Sequence, residues 1–517
     1  MDTDVIVVGA GPTGLMLANE LSSAGVRVTV ADRLASRAPQ SKAGNLHPRS
    51  CEILDQRDLL APIAQHATAR QPTGHFAGLP VPLDFSALPT RHRYQLIVEQ
   101  ARVEDELEAA LGRSGVTVNR EHSLTGLEQD AEGVTAAFDT PDGPTTLRAA
   151  YIAGCDGARS TIRSLLQVAF PGLPGRITMV AADIRLSRTP AGAAVRHRHF
   201  SQRFTSGSRS TAILYPRSGG IFRLLFMGPR QDVDKDAPVE AEEVREVLAD
   251  VYGDEAELNQ LLIASRFTDA SRQAEHYRVS RAFLAGDAAH IHLPTGGQGM
   301  NLGLQDAFAL GWRLAAAVRG HAPDHVLDSY EGERHPVAAQ VLDNTRIQGE
   351  LFRTDEAPKR ALRELFVDLM RLPDVNRHLA GMVSGIDIRY PAPGPAADAH
   401  HASSDARHAA HPLIGQRAPD LDLDTAHGPR RLSRLLRPGR GLLVEFTPGD
   451  PHYADLASGW NDRVDHLTAA PIDPVEATAL LVRPDGHIAW AAGKDGKALQ
   501  DTLGAALRRW FGSLDVD

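Results

Sequence analysis

Cysteine is almost missing from this sequence: its 517 residues hold two, Cys51 and Cys155. They form no metal-type pair and no disulfide framework, which points to a reducing compartment. Aromatic residues are sparse at 5%, which suggests a ligand pocket walled mostly by aliphatic side chains. Surplus positive charge is missing too. The formal net charge of −10 argues against a nucleic-acid surface or a basic membrane-binding face. No apolar run reaches the roughly 18 residues that a membrane span needs. The opening MDTDVIVVGAGPTGLMLANEL is apolar enough to mimic a signal peptide, but it starts with acids, lacks a basic leader and is broken by Gly-Pro. A cytoplasmic protein of about three domains is expected. Metal-ligand spacing is absent as well. His400, His401, His408 and His411 lie in 391–412, a Pro/Ala/His-rich stretch that reads as a solvated linker, so no metal is expected. Apolar (42%) and charged (23%) contents are those of an ordinary globular enzyme.

What is present is glycine, clustered at chemically telling places. DVIVVGAGPTGLMLANELSSAGVRVTVADR reads as strand, glycine turn, helix, strand. Val5–Val8 is a continuous apolar run, as in a strand buried on both faces. Gly9, Gly11 and Gly14, with Pro12 and Thr13 between the last two, make G-x-G-x-x-G. The first allows a tight turn, the second lets backbone approach a pyrophosphate, and the third lets helix pack on strand. The helix N-terminus turns free N–H groups and partial positive charge toward the anion. Val26–Ala31 reads as the second strand. Asp32 stands where an acid meets a ribose hydroxyl, and Arg33 follows it. The motif predicts a dinucleotide without separating FAD from NAD.

Two later stretches add to it. YIAGCDGARSTIR (Tyr151–Arg163) is a short strand running into a loop with Asp156 and Gly157, then a helix start carrying Arg159 and Arg163. LAGDAAHIHLPTGGQGMN is an apolar run ending in Gly286-Asp287, followed by the loop Pro294–Gly299 and a helix that begins near Met300. Leu304, Ala307, Phe308, Leu314 and Val318 recur there at helical spacing. The three motifs together, in this order, resemble the class A flavoprotein monooxygenases, the family of p-hydroxybenzoate hydroxylase. The longer stretches GDAAHIHLPTGGQGMNLGLQDAFALGWRL, VPLDFS, HLAGMVSGIDIRYP and LLVRPDGHIAW are similar to the hydroxylases that tailor angucycline, anthracycline and anhydrotetracycline polyketides.

The resemblance implies tightly but non-covalently bound FAD, NADPH as a transient co-substrate, and O2. A flavin C4a-hydroperoxide would then hydroxylate a bulky polycyclic aromatic in antibiotic biosynthesis, and no protein residue is assigned as catalytic. It further implies that Asp287 meets ribityl hydroxyls, and that Pro294, Gly297, Gly299, Met300 and Asn301 seat the flavin ring. Asp156 and Gly157 would serve FAD and NADPH together, and Gln100 of VEQARVEDEL would meet the ribityl chain. Lys42 of SKAGNLHPRSCEIL stands where the family usually has a flavin-contacting arginine. It keeps the charge and loses the bidentate fork. Glu99 departs from the proline that commonly precedes the glutamine. His290 and His292 offer a metal or proton-relay role or plain hydrogen bonding to backbone, and Arg159 and Arg163 offer cofactor phosphate contacts, with a plain surface role as the alternative for Arg163.

The fold class is α/β. Residues 1–175 and 275–390 form a Rossmann-like FAD-binding domain, and 176–274 an inserted substrate domain of mixed β-sheet plus helices, with 74–98 contributing to the substrate layer. Residues 413–517 resemble a thioredoxin-like domain but hold no cysteine. Monomer and homodimer stay open. The alternatives are a rifampicin-type antibiotic-inactivating monooxygenase, a flavin oxidase or dehydrogenase without oxygen insertion, and a flavin-fold binding module without catalysis.

Overall fold

The computed structural model describes residues 1–37, 40–195, 199–231, 233–352, 356–391, 411–446, 453–493 and 499–514. His400, His401 and His408 lie outside them.

A twisted six-stranded sheet carries the start of the chain. Its order is Arg278–Val279, Ala282–Leu284, Tyr151–Gly154, Val5–Val8, Val28–Ala31, Val118–Asn119. The last five run parallel, and Arg278–Val279 is an antiparallel edge. Val5, Ile6 and Val7 have no exposed surface, as the uninterrupted apolar run requires of a strand covered on both faces. The second strand starts at Val28, two residues later than its apolar run. The register sets Val8 beside Gly154 and Gly154 beside Leu284. Three neighbouring parallel strands therefore end at one level, each running straight into one glycine-bearing cluster, the second and third of which also hold an aspartate.

The helices Pro12–Ser23 and Gln298–Val318 pack against each other and the sheet. The second starts at Gln298, two residues before the position expected from its periodicity, after Gly297 takes φ +68°.

A five-stranded antiparallel sheet follows, in the order Phe204–Ser206, Thr211–Pro216, Phe222–Met227, Thr178–Arg188, Glu257–Thr268. One face buries Val180, Ala182, Ile184, Leu224 and Phe226 against Val244, Val247 and Leu248 of the helix Ala241–Tyr252. Strand alternation gives Ala181, Asp183 and Arg223 to the other face. In the 74–98 stretch, Phe76, Leu79, Leu83 and Phe85 pack with Met370, Leu379 and Val383 from the helices Ala357–Met370 and Pro373–Ser384. That stretch meets the sheet through its edge, where His75 stacks on Phe200 at 4.0 Å.

The C-terminal part is a second six-stranded sheet, ordered Gly428–Arg431, Asp422–Thr425, Val464–Pro471, Gly441–Glu445, Ala479–Val482, Ile488–Ala492, with the helix Leu499–Phe511 against it. ALLVRPDGHIAWAA is a hairpin here, its two strands antiparallel around the turn that Pro484, Asp485 and Gly486 supply. The pair at 422–431 escapes sequence reading because DLDT and GPRR alternate too weakly. Trp312 and Val326, from the helices Gln298–Val318 and Asp324–Phe352, share a core with Trp460, Trp490 and Trp510.

Candidate cofactor and substrate site

Gly9 sits at φ +104°, and a methyl group on it would collide with the Cys155 carbonyl oxygen. The first and second clusters are thus in backbone contact. Beside Gly11 lies open space, and no side chain caps the helix Pro12–Ser23. Pro12 and Thr13 open that helix, and Gly14 packs so closely that any side chain there would strike the Gly9 carbonyl. The third cluster closes on the same point: a Cβ at Gly286 would lie 2.6 Å from the Thr13 hydroxyl oxygen. Asp32 accepts the Ala10 N–H at 2.7 Å and the Leu34 N–H at 2.9 Å, beside an exposed Arg33.

Asp156 accepts the Thr161 and Ile162 amides on Oδ2, at 2.6 and 3.2 Å, and so starts the helix Thr161–Leu165. Its Oδ1 is buried with no hydrogen-bond partner, an acceptor left open. Gly157 follows at φ +83° with open space beside it. Arg159 is exposed and paired with Asp236. Arg163 is not a surface residue. It is 8% exposed, donates to the Ala288 and Ala158 carbonyls at 2.8 and 2.9 Å, and lies 3.8 Å from the Phe170 ring centre. It ties the second cluster to the third.

Gly286 is buried and Asp287 is exposed on the turn Gly286–Ala288. The Gly286 N–H donates to Asp306 Oδ2 at 3.1 Å, and His290 Nε2 faces the same oxygen at 2.6 Å. His290 therefore answers a buried carboxylate, not the backbone. Burial alone would raise the Asp306 pKa; Arg334 and His290 together hold it below the usual range. His292 does bond backbone, through Nδ1 to the Leu293 carbonyl at 2.8 Å.

In the loop that follows, Pro294 is exposed and Gly299 and Met300 are half-buried. Asn301 donates to the Gly297 and Asn45 carbonyls and accepts the His47 N–H, at 2.8, 3.2 and 2.7 Å. These contacts tie the Gly297 turn to the Asn45–His47 segment. Gln100 is likewise engaged: Oε1 accepts the Ala43 N–H at 3.1 Å and Nε2 donates to Glu104 at 2.8 Å. Lys42 stands between these anchors, exposed.

These residues fit a flavin dinucleotide. Two uncapped helix N-termini, at Pro12 and Gln298, supply donors for its negative ends, and the unpartnered Asp156 oxygen supplies an acceptor. The open side of Gly11 leaves room for a phosphate.

Sequence reasoning drew nothing from Glu99. In the structure Glu99 accepts two bonds from Arg217, Arg217 reaches Asp183 at 2.7 Å, Asp183 pairs with Arg223, and Arg223 donates to the Ser41 carbonyl at 2.7 Å. This chain of four charges clamps the antiparallel sheet to the Lys42 loop. Burial would raise the Glu99 pKa, but Arg217 holds it below its ordinary value. The aromatic residues are few but concentrated. Phe200, Phe204 and Phe352 contact one another in series and His75 stacks on the first; Phe352 lies one helical turn from Gln348, which binds Thr295 of the loop. Burial lowers the pKa of His47 to about 4 and of His75 to about 3, so both imidazoles are neutral near pH 7. Among the described residues no group of His, Cys, Asp and Glu could hold a metal, and no helix is long and apolar enough to cross a membrane.

The chain was compared with known proteins. Residues 2–345 match the family model described as FAD binding domain, and 411–513 match that of the aromatic-ring hydroxylase C-terminal region. A 12-dehydrotetracycline 5-monooxygenase/anhydrotetracycline 6-monooxygenase of Streptomyces rimosus subsp. rimosus is 44% identical over 99% of both chains. A rifampicin monooxygenase of Streptomyces venezuelae is 41% identical, again over 99% of each. The solved anhydrotetracycline hydroxylase from Streptomyces rimosus superposes with a TM-score of 0.88 at 42% identity, covering 99% of this chain and 100% of that one.

Proposed function

Since the chain belongs to the FAD-dependent aromatic-ring hydroxylases, in their aromatic polyketide subgroup, we propose that it is an NADPH-consuming monooxygenase that hydroxylates a polycyclic aromatic polyketide in antibiotic biosynthesis. The observation that carries this reading is the convergence of Gly9–Gly14, Asp156–Gly157 and Gly286–Asp287 at the carboxyl ends of three adjacent parallel strands. FAD, reduced by NADPH, supplies the activated oxygen derived from O2 when bound there.

The chain's own residues have three tasks. The Gly9–Gly14 turn and the N-terminus of Pro12–Ser23 hold the pyrophosphate, with Asp32 and Arg33 at the adenosine end. Asp287, Asp156 and the Lys42–Gln100 pair hold the ribityl side, while the Pro294–Gly299 loop, with Met300 and Asn301 behind it, seats the ring. The ring cluster of His75, Phe200, Phe204 and Phe352 offers flat apolar area to a fused aromatic and helps keep water out. The domain division at 176–274, the thioredoxin-like character of 413–517 and a cytoplasmic location belong to the same proposal.

Anaerobic mixing with NADPH or NADH, against anthraquinone-like and naphthacene-like compounds, tests it. Substrate-accelerated flavin reduction followed by one added oxygen in an intact ring system is the expected outcome. The 41%-identical rifampicin monooxygenase favours a second reading, oxidative inactivation of a bulky antibiotic, which would break the product's ring system. Flavin oxidation without product oxygenation would contradict both.

A further inference from the structure

Six charged side chains with almost no solvent contact join the C-terminal sheet to the flavin seat. They are the cations Arg313, Arg334 and Arg483 and the anions Asp306, Glu333 and Asp485, none more than 6% exposed. The turn Arg483–Gly486 is inserted among three helices. Arg483 donates to Glu333 at 2.6 and 2.9 Å and to Asp485 at 3.1 and 2.6 Å. Glu333 also takes Arg313, and Asp485 takes the Trp312 indole N–H at 3.1 Å. The Pro484 and Asp485 carbonyls accept from Gln56 and Arg49 at 3.0 and 3.1 Å.

Glu333 and Arg334 are neighbours on the helix Asp324–Phe352 and serve opposite ends of this network. While Glu333 holds the hairpin, Arg334 Nε donates to Asp306 at 2.8 Å and its Nη1 donates to the Tyr390 hydroxyl at 3.2 Å. Asp306 carries the Gly286 N–H on its other oxygen. The third nitrogen of Arg334, Nη2, is buried with no hydrogen-bond partner, so among the described residues the hydrogen bonds of the guanidinium go to Asp306 and Tyr390. Tyr390 is in turn held by the C-terminal sheet. Its N–H meets the Gly415 carbonyl at 2.9 Å, its ring lies 4.2 Å from that of His487, and His487 N–H donates to Asp485 at 3.1 Å.

Buried ion pairs seldom return their desolvation cost as stability; fixing one arrangement is the better-attested use. We propose that the C-terminal domain is a positioning element for the flavin seat, and that Tyr390 and Arg334 carry its effect through Asp306 to the Gly286–Asp287 turn. The inference rests on the reading of that turn as part of the FAD site. Without the Tyr390 hydroxyl the guanidinium keeps its Nε bond to Asp306 but loses its second anchor, and the carboxylate that accepts the Gly286 amide, faced also by His290, is held less firmly.

Tyr390→Phe tests this, because it deletes one hydroxyl and keeps the ring against His487. Arg417→Gln is the control. Its side chain ties the same interface to Glu52 and the Pro89 carbonyl, and the substitution leaves its backbone bridge to His487 in place. Full-length chains are compared by FAD dissociation constant, flavin midpoint potential and the melting temperature of the apoprotein. Tyr390→Phe is expected to weaken FAD about tenfold, the size of one lost hydrogen bond to a charged group, and to move the potential. Arg417→Gln should lower the melting temperature and leave FAD affinity within about twofold. Arg334→Lys, which keeps charge but loses a donor, should repeat the Tyr390→Phe result and serves should that variant fold poorly. Unchanged affinity and potential in both route variants, or equal loosening in the control, would overturn the inference. A parent chain that takes up no FAD would overturn the functional reading itself, and this inference with it.

Discussion

Gly9 is held by two constraints: a positive φ that a side chain disfavours and a carbonyl oxygen where a Cβ would sit. Gly9→Ala is therefore expected to push the Gly9 turn away from Cys155 and to weaken FAD retention by more than about tenfold, read as flavin absorbance per purified chain. Glu99 makes a different kind of contribution. Asp183 is shared between Arg217 and Arg223, so neutralising Glu99 leaves Arg217 with half its counter-charge. Glu99→Gln should cost about 1–2 kcal/mol of stability and, through Arg223 and the Ser41 carbonyl, loosen the Lys42 loop. The KM for the aromatic substrate should rise severalfold with kcat less affected, measured by steady-state kinetics. An unchanged KM would mean that the four-charge clamp does not reach the substrate.

The packing of Pro12–Ser23 on Gln298–Val318 brings the first and third clusters together at the level of whole elements. A Cβ at Gly303 would strike the Thr13 hydroxyl, and one at Gly311 would lie 2.5 Å from Glu20 Cβ. Gly303→Val should force the helices apart at about 1–3 kcal/mol and reduce FAD affinity in parallel, seen by thermal melts and flavin titration. This geometry was partly legible in the sequence. The apolar run Val5–Val8, the glycine spacing and the helical period after Met300 announce strand, turn and helix, since backbone conformation is set locally. The parallel register that brings the three clusters to one level is not local. Neither are the partners of Asp306, Glu333, Arg334 and Asp485, each of which reads in sequence as an ordinary polar face of a helix or turn. Their roles depend on burial against segments 20 to 150 residues away. The burial of Arg163 and the carboxylate partner of His290 escape sequence reading for the same reason.

Across the whole molecule, several histidines are buried uncharged. Burial lowers the pKa of His47 and His487 to about 4 and of His75 to about 3, from an ordinary value of 6.5. Below pH 6.5 the unfolded chain takes up protons on these residues and the folded chain does not, so stability falls as pH drops toward 4. Each contributes about 1.4 kcal/mol per pH unit across that window. The melting temperature should decline steadily from neutral pH downward, and His75→Phe should flatten the decline; a profile flat to pH 5 would contradict the burial of these imidazoles. The central claim, that three distant glycine-bearing clusters build one flavin seat, is tested most directly by FAD content. The parent chain should hold one FAD per chain and Gly9→Ala almost none. A parent that stays colourless after soaking in FAD, or a Gly9→Ala chain that binds it equally well, would contradict the account.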